Sequence, residues 1–223
     1  MREVFDEQLR GLLERIMEMG GLAEAMLESA VLAILERDED RIAHVHELEA
    51  RVNDLHLAID DKAVSMTVRH QPVARDVRMI FVASRCASDV ERVGDCAVNV
   101  AQSAAHFLAA PEFERVEVPQ TVSQLADAAR SALGDALAAM IGRDVVLAAR
   151  VLEREPAVDD LRDSVFKDLL YDMITRPMAA SSALSLLLVS RNLERVGDHA
   201  TNIAEDLIYL VRGKDIRHQR HGP

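Results

Sequence analysis

Glu91-Arg92-Val93-Gly94-Asp95 and Glu194-Arg195-Val196-Gly197-Asp198 are one pentapeptide occurring twice in a chain of 223 residues, at a shift of 103 positions. Each copy lies in a long stretch without proline. Residues four apart on a helix project from the same side, so the Glu and Asp of each copy can converge on one cation. The repetition also bears on the fold, because self-similarity at a fixed shift marks a duplicated structural unit.

The duplication extends well beyond the motif. Asn99-Val100-Ala101 matches Asn202-Ile203-Ala204 at the same shift of 103. Upstream, a shift of 106 pairs Arg37-Asp38 with Arg143-Asp144, Glu49 with Glu155, Val52 with Val158, and Asn53-Asp54-Leu55 with Asp159-Asp160-Leu161. The first repeat therefore spans about residues 1–108 and the second 119–212. Residues 109–118, carrying Pro111 and ending at Pro119, read as a linker, and 213–223 as a tail.

Each repeat reads as three helices. In the first they cover Val4 to Leu35, Asp38 to Val68 and Pro72 to Leu108; in the second, Pro119 to Ile141, Asp144 to Thr175 and Pro177 to Val211. Apolar residues recur at three and four positions, as at Leu9, Leu12, Leu13 and Ile16, which gives each helix one buried stripe. Pro72 and Pro177 suit the first turn of a helix, where the missing amide hydrogen is not needed. Asp38 and Asp144 suit N-caps after sharp turns. Short turns force neighbours to run antiparallel, so the expected fold is all-α, two tandem three-helix bundles.

Composition supports this and excludes other classes. Aromatic residues are 3% and tryptophan is absent, an alphabet poor in strand formers. The net charge of −12 argues against a nucleic-acid partner, which requires clustered cations, and suits metal ions or a basic protein surface. The longest apolar run, Met178 to Val189, is shorter than the ~20 residues a membrane span requires and reads as a core helix. Cys86 and Cys96 are the only cysteines. On one helix they lie ~15 Å apart, too far for a disulfide. Reduced thiols and the lack of a hydrophobic amino-terminal segment lead us to expect a cytoplasmic protein without membrane insertion.

A second acid pair precedes each motif, Glu49 with Asn53 and Glu155 with Asp159. If these helices are antiparallel neighbours, each pair faces a motif and forms a four-donor oxygen cluster. Carboxylates so close repel unless protonated or bridged by a cation. The candidate metal ligands are therefore Glu91, Asp95, Glu49 and Asn53 in one repeat and Glu194, Asp198, Glu155 and Asp159 in the other. Asn99 and Asn202 are further candidates. Oxygen donors favour magnesium, calcium, manganese or iron over copper or a structural zinc. Cys96 and His199 follow the motif Asp in each copy and read as half-buried packing residues. Gly94 and Gly197 recur within stripes of small residues, which suggests close backbone contact. Asn53 removes one charge from the first cluster, and Pro156 is expected to kink or split its helix. No separate nucleophile, phosphate loop or nucleotide fingerprint points to an enzyme.

The double Glu-Arg-Val-Gly-Asp followed by Ala-x-Asn-(Val/Ile)-Ala, with the Gln71-Pro72-Val73-Ala74 lead-in, resembles the PhoU family of phosphate-homeostasis regulators over nearly the whole chain. The resemblance implies a non-enzymatic, cytoplasmic helical protein, often a homodimer, with metal clusters on its Glu/Asp-x-x-x-Asp motifs. Iron, manganese, magnesium, calcium and zinc all remain open. It further implies negative regulation of phosphate uptake and of the starvation response, through a phosphate ABC transporter ATPase and a sensor histidine kinase. The alternative is a metal-free helical adaptor for a transporter, its acids paired with Arg92 and Arg195.

Overall fold

A computed structural model describes residues 2–111 and 115–213. Six helices account for nearly all of it: α1 (Arg2–Leu35), α2 (Asp40–His70), α3 (Ala74–Ala109), α4 (Gln120–Gly142), α5 (Val145–Thr175) and α6 (Ala180–Arg212). A single 3-10 turn, Pro177–Ala179, precedes α6. The tail from Lys214 onward lies outside the described residues.

Local chemistry explains the boundaries. Arg37 (φ 58°) and Arg143 (φ 54°) occupy the left-handed region at equivalent places, reversing the chain after α1 and after α4. Asp144 then caps α5, its Oδ1 accepting from the amides of Val146 (2.9 Å) and Leu147 (3.0 Å). Asp38 does less. Its carboxylate accepts from Asp40 N at 3.0 Å, and α2 starts two residues later than expected. Pro156 does not split α5, which runs unbroken from Val145 to Thr175. Its neighbours Val151, Leu152 and Val158 are buried, and that packing holds the helix together across the proline.

α3 and α6 form the centre and pack more extensively on each other than any other two helices. Arg85 pairs with Asp206, while Asp89 meets His199 and Asn202. Low numbers meet high ones, so the two helices are antiparallel and the repeats are related by a pseudo-twofold across this seam. Each central helix is backed by the other two helices of its own repeat, and α1 also touches α4. One continuous apolar core results. At α3 its stripe is Ala87, Val90, Gly94, Ala97 and Ala101, all buried as their spacing indicated.

The Met178–Val189 run leads into the core helix α6 and buries one face: Ala183, Leu186 and Val189 are buried, and Leu184 is 53% and Leu188 45% exposed. The repeated glycines are also unequal. A Cβ on Gly94 would meet Val52 Cγ1 at 3.5 Å, an ordinary contact, whereas one on Gly197 would meet Val158 Cγ1 at 3.2 Å. The tightest approach is elsewhere, at Gly20 of α1, where a Cβ would come within 2.5 Å of Leu137 Cδ1 of α4.

Glycine costs a helix interior about 0.5–1 kcal/mol relative to alanine. Gly94→Ala is therefore expected to raise the melting midpoint by roughly 1–4 °C for a chain of this size. Gly197→Ala should gain less or nothing, since Val158 must give way. Thermal unfolding of both variants checks the contrast.

Candidate functional site

The equivalent contacts Val52–Gly94 and Val158–Gly197 set the register of α2 on α3 and of α5 on α6. Because Glu49 and Asn53 flank Val52, and Glu155 and Asp159 flank Val158, this packing brings each upstream pair level with a motif.

In the second repeat the result is a shared pocket. Glu155, Asp159, Glu194 and Asp198 all line one cavity of about 130 Å³, whose apolar walls include Val158 and Gly197. Burial is the first cause that raises the Glu194 carboxyl above its usual range; Arg162 opposes it, and Asp198 and Asp159 add to it. For Asp198 partial burial again comes first and Asp159 second, with His199, Arg195 and Arg162 opposing. Arg154 lines the cavity but pairs with Asp135 at 2.7 Å, and Arg162 lies beside Glu194. Its Nη2 lies 3.6 Å from Glu194 Oε1 and 3.3 Å from Asp163 Oδ1, and its Nε is buried with no hydrogen-bond partner.

The first repeat partners its acids differently. Arg92 reaches Glu91 (3.6 Å) and Asp95 (3.2 Å) from the same helix. His46 Nδ1 lies 3.3 Å from Glu49 Oε2, and Asn53 is exposed. Neutral Asn53 in place of a fourth carboxylate lowers the repulsion that the second repeat retains.

Among the described residues, no three Asp, Glu, His or Cys side chains stand close enough to hold a metal ion as placed. Unbridged carboxylates repel, and here Glu91 and Asp95 lie against Arg92 while Glu194 lies near Arg162. The donor set of the second repeat nevertheless fits an oxygen-preferring cation, because four acids share one pocket and two of them hold their protons more tightly than usual. The first set fits less well, with three acids, one amide and an arginine already in place.

Asn99 and Asn202 do not line that pocket. Eight residues make about 2.2 helical turns, so position i+8 is rotated by roughly 80° from the motif Glu. Both asparagines lie on the α3–α6 seam instead. Asn202 Nδ2 donates to Asp89 Oδ1 at 3.2 Å, and Asn99 borders a groove with Arg191, Asn192 and Arg195. His199 also serves the seam, its Nδ1 lying 2.9 Å from Asp89 Oδ1. Cys86 and Cys96 are free buried thiols, and burial pushes Cys96 up to about 11. Arg162, Asp89 and Asp206 escaped the motif-based reading because none belongs to the repeated pattern: Asp89 corresponds to Asn192 and Asp206 to Ser103.

A carboxyl whose folded pKa exceeds its unfolded value costs no stability below the unfolded pKa and costs most above the folded one. In chelator, Asp198→Asn is therefore expected to melt above the parent near neutral pH. The advantage should shrink as pH falls toward ~4, where the aspartate of the unfolded chain also takes up its proton. A series of thermal melts across pH checks both the sign and the trend.

Comparison with known proteins agrees with this architecture. The family model described as PhoU domain matches twice, at residues 16–104 and 122–207. The phosphate-specific transport system accessory protein PhoU homolog of Pseudomonas aeruginosa is 37% identical over 96% of this chain and 88% of its own length. The homolog from Pseudomonas putida is 35% identical over 96% and 83%. The Escherichia coli protein, named phosphate-specific transport system accessory protein PhoU, is 31% identical over 96% and 88%. The crystal structure of PhoU from Pseudomonas aeruginosa superposes with a TM-score of 0.87 at 33% identity, covering 94% of this chain and all of that one. A Streptococcus pneumoniae structure at 21% identity shares the fold, with a TM-score of 0.86 and coverage of 95% and 99%. With both of its repeats matched and relatives aligned over nearly its full length, the chain belongs to the PhoU family.

Proposed function

We propose that this protein is a non-enzymatic regulator of phosphate uptake that restrains a phosphate ABC transporter and the starvation response by contacting the transporter ATPase and a sensor histidine kinase. It works in the cytoplasm as a homodimer. The names of its relatives support the transport role. No described helix is long and apolar enough to cross a membrane, which accords with action from outside the bilayer.

Metal is the second part of the proposal. Glu155, Asp159, Glu194 and Asp198 hold one ion or cluster, and Glu49, Asn53, Glu91 and Asp95 hold another more weakly. The observation that carries this is the single pocket shared by four carboxylates from α5 and α6. A bound cation supplies charge neutralisation. The protein's own part is to aim acids from two helices at one place, with Arg162 screening them in the meantime, so that neutralisation ties α5 to α6.

Partner contact is supported by apolar side chains left on the surface in both repeats. Val64, Val68 and Phe81 are 65–70% exposed between α2 and α3. Leu170, Ile174 and Leu184, the equivalents at shifts of 106 and 103, are 42%, 71% and 53% exposed between α5 and α6. Patches of this kind mark interaction sites.

A cation bound only by the folded state, at a hundredfold excess over its Kd, adds about 2.7 kcal/mol, so metal should raise the melting midpoint by roughly 5–10 °C and EDTA should reverse it. Changing Glu155, Asp159, Glu194 and Asp198 to their amides should abolish that shift and lower the metal content found by elemental analysis. Unchanged metal content would reject the ligand assignment. Affinity capture of the transporter ATPase, weakened by Phe81→Asp with metal content intact, tests the partner reading separately.

A further inference from the structure

The pseudo-twofold gives the α3–α6 seam two sides built from equivalent positions, and the chain has made them chemically opposite. One side is acidic and internally paired. Asp89 engages His199 and Asn202, Arg85 pairs with Asp206 at 3.3 Å, and Glu205 and Asp206 are 9% and 2% exposed. On the other side, at the shift of 103, Asp89 becomes Asn192, Glu205 becomes Gln102, and Asp206 becomes Ser103. Ser88 becomes Arg191, and Tyr209 corresponds to His106. Three acids are gone, and an arginine is gained at 191 while Arg85 is replaced by Leu188.

What lies there is an open groove of about 400 Å³ without a single carboxylate in its lining. Arg191 and Arg195 stand four apart on α6, one helical turn, where like charges repel unless something negative lies between them. Neither guanidinium makes an ion pair with a carboxylate among the described residues. At longer range they act on the motif, Arg191 lowering Glu194 and Arg195 lowering Asp198. Asn99 and Gln102 of α3 add amide donors, and His106 an imidazole, across from the arginines, while Asn192 beside them on α6 donates to Leu188 O at 2.8 Å. Ser103 sits at the base, 6% exposed, with its hydroxyl donating to Asn99 O at 2.9 Å. In a chain of net charge −12, this concentration of cationic and neutral donors runs against the general field.

We propose that the open side of the α3–α6 seam is a binding site for a tetrahedral oxyanion of the phosphate class, gripped by Arg191 and Arg195. Guanidinium forks match such oxygens in geometry as well as charge. The groove has room beyond one small ion, so the group can belong to free phosphate or to a phosphate ester such as a nucleotide. The site is separate from the carboxylate pocket and needs no metal.

The test is isothermal titration calorimetry of the full chain with inorganic phosphate and, in a second arm, with ATP, each with and without EDTA. Salt is held at about 0.15 M to screen loose surface binding. Saturable binding, unchanged by EDTA and weakened about tenfold or more by Arg191→Gln with Arg195→Gln, is expected, a loss of ~1.4 kcal/mol or more. Arg150→Gln, an exposed arginine on α5, should leave the affinity as it was. Melting curves of the variants establish that they fold. Binding of both ligands assigns free phosphate as sufficient, and binding of ATP alone assigns the ester. The proposal is overturned if neither ligand binds, if the double variant binds as tightly as the parent, or if EDTA abolishes binding, which would make the anion a passenger on metal. Loss of metal binding at the acids with phosphate binding intact would reject the metal reading and leave this one standing.

Discussion

Everything in this molecule is arranged around two antiparallel helices, α3 and α6, which pack on each other more extensively than any other pair. α3 and α6 bury many alanines, valines and serines beside a few larger residues such as Leu186, Leu193 and Phe107, and the antiparallel pair they make sits between the remaining four helices. Small side chains bury little area each, so cohesion depends on many contacts at short range. The core is accordingly continuous through both repeats. Gly20 and Leu137 bring α1 and α4 together at a second close crossing, which ties the repeats to each other away from the seam.

Duplication supplied the plan, and divergence supplied the chemistry. Both repeats place a pair of oxygen donors on the middle helix, Glu49 with Asn53 or Glu155 with Asp159, against an acid pair on the last, through the same valine-on-glycine contact. Arg92 and His46 partner the first set along its own helices, while the second keeps four carboxylates around one cavity, with Arg162 beside Glu194. The seam diverged in the same manner. One side became a hydrogen-bonded network of Asp89, His199 and Asn202, and the other an open groove with Arg191 and Arg195. A symmetric scaffold thus carries, by our reading, a site for cations and a separate site for anions, placed on different faces of α6.

The amino-acid sequence by itself determined the repeat, the number of helices, most of their ends and the buried stripes. These follow from periodicity and capping, which act within a few residues of the chain. The level of Glu155 and Asp159 with Glu194 and Asp198 was legible too, since short turns make neighbours antiparallel. Only the tertiary structure decided which arginines reach which acids, that α5 passes Pro156 without a break, that Leu184 and Leu188 face outward, and that Asn99 and Asn202 belong to the seam. Each of these depends on how helices distant in the chain rotate and cross, and a rotation of under a quarter turn separates the acid face of α6 from its seam face. Local patterns specify a helix and its apolar stripe, whereas the partner of each polar flank is set by packing between surfaces a hundred residues apart.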